Sequence, residues 1–226
     1  MPRTDPDKLI IEIDEQGTTI TEVRGNSQST KTINPDDLKY LFSETAFDTG
    51  MMPCSDTGVV FVGRQGDTEA VLYQSGPRKV DIRWGYTGEI IKQVPFPHLI
   101  FAFQLGAPKA AGRGGRQPNR YRDSKVFALQ HGVKFDTDTL YNFTGYGNTY
   151  SGGAICWGSN RIEATDIASC RGVVNAFYST PFNGHLGGTD GFISTCVRNG
   201  TFPLEGKQLN KTIKDLIRET FSGQTY

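Results

Sequence analysis

The hydrophobic periodicity of the chain changes at Cys156. Before it, apolar residues alternate or form short strand-like runs at 58–62, 70–74, 79–84, 98–104 and 125–130. After it, they recur at helical spacing, first at Ile167, Cys170, Val174 and Phe177, and then at Leu209, Ile213, Leu216, Ile217 and Phe221. Strand side chains alternate between two faces, whereas helical side chains share a face every three or four residues. The pattern predicts an α+β domain, an antiparallel β-meander followed by C-terminal helices that cover one sheet face.

The N-terminal part predicts a small additional element. Residues 9–13 and 18–23 are strand-like on either side of Gln16 and Gly17, which predicts a β-hairpin. Asn34-Pro35-Asp36-Asp37 is typical of a helix start, with Asn34 as the N-cap. We therefore divide the chain into a hairpin extension, residues 1–33, and a main domain, residues 34–226. The extension has too few apolar residues for its own core, so we expect it to join or flank the sheet.

The C-terminal part has two segments that connect its predicted helices. Thr165 or Asp166 is the expected N-cap of the first helix. A Gly- and Asn-rich loop, 183–191, then precedes a short strand-like piece at 192–197, before the last helix. Cys196 lies in that piece, and both Cys196 and Cys170 are expected to be structural, as is Cys54.

The bulk composition excludes several classes of protein. The 24 Lys and Arg residues equal the 24 Asp and Glu residues, so neither a nucleic acid nor an anionic membrane is an expected partner. The longest apolar stretch, 94–107, is interrupted by prolines and is too short to span a bilayer, and no signal peptide is visible. Four cysteines without paired spacing indicate reduced thiols in a cytoplasmic protein. Because there is no Cys-x-x-Cys motif or His cluster, we expect no metal site.

Residues 146–158 carry the pattern that points most directly to chemistry. Asn148 is followed by Gly153 and then by Ile155 and Cys156, and further glycines flank the cysteine. In such a turn a thiol can be reached, and a thiolate is the nucleophile of acyl transfer through a thioester. A nearby amide can stabilise the oxyanion that forms. The alternatives are that Cys156 is a small buried hydrophobic residue and that Asn148 forms an Asx-turn.

This spacing resembles the active-site segment of ubiquitin-conjugating enzymes, in which His-Pro-Asn precedes a Gly and then Ile-Cys-Leu. Here Tyr146-Gly147 replaces the His-Pro pair, and Trp157 replaces the Leu. The flanking segments Val94–Phe101 and Asn175–Phe182 extend the likeness. In their order and spacing they are similar to the PRTRC system protein B family, a bacterial branch of that superfamily.

The resemblance implies a ubiquitin-conjugating-enzyme-like fold and a transfer reaction. Cys156 would accept the C-terminus of a ubiquitin-like protein as a thioester from an adenylating activating enzyme, and would pass it to an acceptor. Asn148 would serve the oxyanion, and His185, in a segment that returns across the site in this fold, would act as an acid, a base or a partner contact. ATP would be used by the activating enzyme, so no cofactor is expected here. A metallopeptidase of the same operon is a further expected partner.

Two other hypotheses stay open at this stage. One is a non-catalytic module of the same fold that holds the ubiquitin-like protein or its activating enzyme. The other concerns the basic loop, residues 107–122, which suits a solvated loop, a docking site for an acidic partner or a nucleic-acid contact. No aromatic residue accompanies its cations before Tyr121, which leaves base stacking without support. We expect Arg113, Arg116 and Arg120, together with Trp157, to contact a protein partner.

Overall fold

The structure, a computed structural model, describes residues 8–14, 17–33, 47–51, 58–85, 88–107, 118–133 and 138–222. The strands are β1 Lys8–Asp14, β2 Gly17–Arg24, β3 Ser27–Ile33, β4 Phe47–Met51, β5 Val59–Gln65, β6 Thr68–Ser75, β7 Arg78–Trp84, β8 Glu89–Phe96, β9 His98–Gly106, β10 Tyr121–Leu129, β11 Thr139–Tyr141 and β12 Gln208–Thr212. The helices are α1 Cys170–Ser179, α2 Asp190–Asn199 and α3 Ile213–Ser222, with a 3-10 turn at Gly184–Leu186. None of these helices has the length and apolar run needed to cross a bilayer.

The chain divides into two compact units, Met1–Ala46 and Phe47–Tyr226. In the first, β1, β2 and β3 form an antiparallel sheet in that order. The first two strands are the expected hairpin, and β3 falls in a polar stretch that had no strand signal. The hydroxyls of Thr21 and Thr30 share a hydrogen bond of 2.9 Å across β2 and β3. The helix predicted from Asn34 lies outside the described residues.

The second unit contains a seven-stranded antiparallel sheet in the order β12-β11-β10-β9-β6-β5-β4. With its C-terminal helices it is an α+β fold, as the periodicity predicts. The strands do not follow a simple meander, because β6 pairs directly with β9. The intervening β7 and β8 form their own two-stranded sheet, here called the β7–β8 hairpin. The sequence therefore predicted β7 correctly as a strand but placed it in the wrong sheet, and β8 was not predicted.

Side chains alternate between the two faces of the large sheet. On β9, Phe101 and Phe103 belong to one buried cluster, and Ile100 and Ala102 belong to the other. A β-bulge between Val59 and Phe61 shifts the register of β5, so that these residues, two positions apart, face opposite clusters. We call the first cluster the aromatic face and the second the aliphatic face.

Helix α1 begins later than expected, because a turn precedes it. Ser169, not Thr165 or Asp166, holds the N-cap position. The Ser169 hydroxyl oxygen accepts the backbone N–H groups of Thr165 and Asp166 at 2.9 and 3.1 Å. In return, the Asp166 carboxylate accepts the Ser169 N–H at 2.8 Å. Those bonds hold the residues before Cys170 in a turn, so Ile167 precedes the helix.

Residues 192–197 are helical, which corrects the expectation of a strand-like piece. The Thr189 hydroxyl oxygen accepts the N–H of Phe192 at 3.2 Å and caps α2, while Gly200 caps its C-terminus. Ile193 and Cys196, three positions apart, are both buried. Caps at both ends and one buried helical face outweigh the β-propensity of this segment. Likewise Leu209, expected in the last helix, lies in β12, and α3 begins at Ile213.

Candidate functional site

Cys156 ends a tight hairpin, residues 148–156, that we call the Cys156 hairpin. The Cys156 N–H donates to the Asn148 carbonyl oxygen at 2.8 Å, and the Tyr150 N–H donates to the Ala154 carbonyl oxygen at 3.0 Å. The Gly153 N–H closes the turn by donating to the Tyr150 carbonyl oxygen at 2.8 Å. The residues that the motif places eight positions apart are therefore direct backbone neighbours.

Strand β10 holds the Cys156 hairpin along its edge. The Val126 N–H donates to the Gly153 carbonyl oxygen at 2.8 Å, and the Ile155 N–H donates to the Ser124 carbonyl oxygen at 3.2 Å. Gly153 has a φ of 85°, and a Cβ on it would lie 2.2 Å from the Phe127 ring. The motif glycine is thus required by close packing as well as by its backbone conformation.

Asn148 connects the hairpin to the loop after α1. Its backbone has a φ of 56°, which asparagine tolerates better than most residues. The side chain is buried, and its amide nitrogen donates to the Pro181 carbonyl oxygen at 2.6 Å. The amide therefore bonds a distant carbonyl rather than forming an Asx-turn. One amide N–H is used in this way, and the second is the candidate donor to an oxyanion.

Tyr146 anchors the base of the Cys156 hairpin in the aromatic face. It is fully buried, and its hydroxyl donates to the Pro95 carbonyl oxygen at 2.5 Å. Its ring packs edge-on against Phe96, Phe143 and Phe202 at centroid distances of 5.1, 5.6 and 5.2 Å. Burial raises the pKa of Tyr146, so the phenol stays neutral. This residue occupies the position of the His in the resemblance, and its role here is packing.

A cleft of about 650 Å³ opens beside the thiol. Its lining includes Asn148, Cys156, Trp157 and His185, and so the structure brings together the three proposed catalytic residues. The remaining lining residues are Arg83, Gly85, Gly88, Gly158, Ser159, Asn160, Thr180, Pro181 and Asn183. The sequence pattern gave no signal for Arg83, which reaches the cleft from the β7–β8 hairpin. Neither His98 nor His131 lines the cleft.

The described thiols have different environments. Cys156 is partly exposed, whereas Cys170 and Cys196 are buried. Burial raises the pKa of Cys170 to about 12 and also raises the pKa of Cys196. A thiol that stays protonated and buried is a poor nucleophile, which matches the structural roles expected for these two. Cys54 lies outside the described residues.

Tyr150 is a neighbour of Cys156 that the sequence pattern did not single out. It lies diagonally across the hairpin from Cys156, and 48% of its surface is exposed. Interaction of its hydroxyl with the neighbouring Cys156 thiol raises the pKa of Tyr150. Diagonal side chains on one face of a strand pair lie within reach of each other when one is aromatic. Once the hairpin is known, its register identifies Tyr150.

Trp157 is partly used inside the protein. Its indole N–H donates to the Tyr121 hydroxyl at 2.8 Å and to the Ser124 hydroxyl at 3.2 Å. Its ring meets Phe177 edge-on at 6.4 Å. Because Trp157 remains half-buried and lines the cleft, it fixes one wall of it, and a contact to a partner stays a prediction.

Some of the cations in and beside the basic loop form ion pairs within the chain. Arg113 and Arg116 lie outside the described residues, and Arg120 is buried, 8% exposed. The Arg120 guanidinium forms a 2.8 Å ion pair with Glu69 and donates to the Gly106 carbonyl oxygen at 2.7 Å. This corrects the expectation that Arg120 contacts a partner. Arg122 and Lys125 also form ion pairs within the chain, with Asp67 and Glu219.

The described residues contain no group of three or more His, Cys, Asp or Glu side chains placed to hold a metal ion. No family model matches the chain, and no curated protein or solved structure matches it. The geometry around Cys156 is therefore the basis for assigning a function.

Proposed function

We propose that this chain is a ubiquitin-conjugating-like acyl transferase of the PRTRC B type, with a fold of that class, in which Cys156 carries the C-terminus of a ubiquitin-like protein as a thioester. The observation that carries the proposal is the placement of a partly exposed Cys156 in a cleft with Asn148 and His185. The other described thiols are buried. An adenylating activating enzyme supplies the acyl group, and a metallopeptidase of the same operon hydrolyses the final conjugate.

The Tyr146-Gly147 pair is compatible with this reaction. Tyr146 anchors the hairpin through its ring and hydroxyl, and Gly147 permits the close approach of the Asn183 carbonyl, which would lie 2.0 Å from a Cβ at that position. Together they hold Asn148 and Cys156 in register without a His-Pro pair. The departure from the family pattern therefore supports a different way of shaping the same hairpin.

The reaction has two steps, transfer of the acyl group to Cys156 and its transfer from Cys156 to the acceptor. The Cys156 thiolate attacks the thioester carbon on the activating enzyme, a new C–S bond forms, and the enzyme's thiolate leaves. An acceptor nucleophile then attacks the carbon, and the developing oxyanion receives the free amide N–H of Asn148. The second C–S bond breaks, Cys156 leaves as a thiolate, and the acceptor loses its proton to solvent or to the His185 side of the cleft.

The direct test is a charging assay with an adenylating activating enzyme and its cognate ubiquitin-like protein. With ATP, the chain should form an adduct that dithiothreitol cleaves. Cys156→Ser should give no adduct or an ester that resists thiols and yields to alkali. Cys170→Ser is the matched control and should still charge, because the thiol it removes is buried.

A second assay does not depend on the natural partners. A short peptide ending in Gly-Gly, supplied as its mercaptoethanesulfonate thioester, should acylate Cys156, as peptide mass spectrometry would show. Asn148→Ala should slow discharge of the adduct more than its formation. An acylation rate at Cys156 equal to that of a cysteine in an unfolded reference peptide would show that the cleft does not promote the reaction.

The alternative is a binding module that holds the ubiquitin-like protein or the activating enzyme. The hydrogen bond from Asn148 to the Pro181 carbonyl favours it, because that bond gives the amide a structural role. The variant Cys156→Ala distinguishes the transferase from the binding module. If this variant loses the adduct but the pathway's final conjugates form at the normal rate, the chemistry lies in another protein.

A further inference from the structure

One wall of the cleft comes from the β7–β8 hairpin, which is firmly attached. It contributes Arg83, Gly85 and Gly88 to the lining. The Phe182 N–H donates to the Arg83 carbonyl oxygen, and the Gly85 N–H donates to the Phe182 carbonyl oxygen, both at 2.8 Å. Trp84, between them, is buried against the aromatic face. The backbone of Arg83 is thus held beside the cleft while its side chain is exposed.

The described lining of this cleft contains a guanidinium but no carboxylate. Arg83 supplies the guanidinium, and no Asp or Glu is among the described lining residues. No carboxylate among the described residues forms an ion pair with Arg83. Asp81, two positions earlier on β7, accepts the backbone N–H and the side-chain amide of Gln93 at 2.9 and 3.4 Å. Among the described residues, Arg83 therefore lines the cleft without an ion-pair partner.

Such a site favours an anionic ligand over a cationic one. A guanidinium binds a carboxylate through two parallel hydrogen bonds. An approaching lysine side chain, which carries an ammonium and no carboxylate, would be repelled by the guanidinium. The donor's own C-terminal carboxyl becomes a neutral thioester at Cys156. The anion that meets Arg83 is therefore carried by the molecule that attacks the thioester.

We propose that Arg83 selects an acyl acceptor that carries a carboxylate close to its nucleophilic atom, such as an amino acid or an acidic peptide segment. This inference rests on the proposed function of Cys156 and names the acceptor class for it. Arg83 is a specificity-determining residue that touches the acceptor, and Cys156 and Asn148 retain the chemistry.

The first test measures the charge preference of the cleft without any acyl transfer. Cys156 is alkylated with iodoacetate, which is anionic, and with iodoacetamide, its neutral analogue, and both rates are read at the Cys156 peptide by mass spectrometry. Arg83→Gln should lower the ratio of the two rates by about threefold to tenfold at low ionic strength. Arg83→Lys should keep most of the ratio. Lys79→Gln, which removes an exposed cation of the same strand outside the cleft, is the control and should change nothing.

The second test compares acceptors on the acylated protein. Cys156 is loaded from the Gly-Gly peptide thioester and discharged with β-alanine or with propylamine, amines of similar size of which the first carries a carboxylate. After correction for each amine's reaction with free peptide thioester, the chain should prefer β-alanine, and Arg83→Gln should remove the preference.

The outcomes separate the two proposals. An iodoacetate ratio that Arg83→Gln leaves unchanged overturns the anion site. A normal ratio without a β-alanine preference overturns the assignment to the acceptor. Failure to acylate Cys156 at all overturns the proposed function and the acceptor with it, while the alkylation ratio still decides whether Arg83 attracts anions. Thermal melts of Arg83→Gln and Arg83→Lys exclude loss of folding as the cause.

Discussion

The two faces of the seven-stranded sheet are built from different side chains. The aromatic face packs many rings, among them Phe96, Phe143 and Phe177, carries α1, α2 and the β7–β8 hairpin, and anchors the base of the Cys156 hairpin through Tyr146. On the aliphatic face, residues such as Ile100 and Leu129 pack against Leu216 and its neighbours on helix α3. Among the described residues, one face thus supports several short elements, and the other supports one amphipathic helix.

The difference shows how this fold holds a site made of loops. An aromatic ring buries a large area and packs edge-on against several neighbours at once. Phe96 meets Tyr146, Tyr178 and Phe182 in this way, and also contacts Phe143 at a tilted angle. Rings shared between short segments can fix those segments without a long helix. The proposed site therefore lies where many short elements meet, and we expect the aliphatic face to contribute mainly to stability.

The strongest way to break this comparison is to remove one large side chain from each face. Phe177 packs against Phe101, Phe182 and Trp157 at ring-centroid distances of 5.3, 5.5 and 6.4 Å, and Leu216 is a fully buried residue of α3. Phe177→Ala should lower the free energy of unfolding by about 3–5 kcal/mol and Leu216→Ala by about 2–5 kcal/mol, measured in urea. Only Phe177→Ala should alter the iodoacetamide rate at Cys156 in conditions where both variants are folded. Equal changes in that rate would show that the faces are not functionally distinct.

A second change acts on the hairpin itself. Gly147 has a φ of 83°, and a Cβ there would meet the Asn183 carbonyl oxygen at 2.0 Å, whereas a Cβ on Gly152 would meet nothing within 4 Å. Gly147→Ala should therefore cost roughly 3 kcal/mol, from backbone strain and a displaced loop, and should slow acylation of Cys156. Gly152→Ala should leave the stability within about 0.5 kcal/mol. Urea melts and the peptide thioester assay measure both effects, and similar losses in the two variants would contradict the packing argument.

Glu219, on the helix that packs against the aliphatic face, should make the stability of the protein depend on pH without affecting Cys156. Burial raises the pKa of Glu219, but hydrogen bonds from Lys211 and Lys125 outweigh it and lower the pKa overall. A lowered folded pKa stabilises the protein above the unfolded value, about 4.3, and this part is lost as the pH falls through the folded value. Glu219→Gln should cost about 1–3 kcal/mol at neutral pH, since it leaves buried Lys125 without its partner, and less in acid.

Urea melts of the native chain and Glu219→Gln between pH 7 and pH 3 measure this dependence. Glu205→Gln, at an exposed carboxyl, is the control. The gap between the native chain and Glu219→Gln should narrow as the pH falls, and alkylation of Cys156 should be the same in both. A gap that stays constant with pH would show that the ion pairs do not contribute.

The smallest effect is expected at Tyr150. Its exposed hydroxyl interacts with the Cys156 thiol, so Tyr150→Phe should slow alkylation of Cys156 by about twofold to fivefold, the equivalent of one modest hydrogen bond. The thermal midpoint should not change. Tyr141→Phe, on β11, is the matched control for the loss of a phenol. An unchanged rate in Tyr150→Phe would leave Cys156 without a functional contact to this hydroxyl.

Strands with clear local signals were predictable from the sequence. Four strands, β5, β6, β9 and β10, are apolar runs bounded by turns. The structure has them within a few residues of the expected limits, and the largest difference is that β10 begins at Tyr121 rather than at residue 125. β8 was missed because only its last three residues are buried and the rest are largely exposed. α2 was mispredicted because its β-branched residues dominated the pattern, although Thr189 and Gly200 were visible as caps.

The site shows the same limit. The spacing from Asn148 to Cys156 predicted two residues that the structure makes backbone neighbours, because a hairpin is a local object. Arg83 reaches the cleft from a hairpin far along the chain, and no pattern of short range can report it. Arg120 was misassigned for a related reason, since its ion pair with Glu69 depends on strand pairing across the sheet. Charge density in a segment does not reveal which charges the fold will bury.

In the hairpin that joins Asn148 to Cys156, the direction in which the proposed nucleophile points depends on the number of residues between them. Seven residues separate the two, and side-chain direction reverses at each step along a strand. Inserting or deleting one residue after Tyr150 would turn the thiol away from the cleft while most backbone hydrogen bonds could re-form one step along. A change of two residues would restore its direction. Loop length, more than side-chain identity, should then decide whether a redesigned hairpin is active, with activity alternating between even and odd insertions.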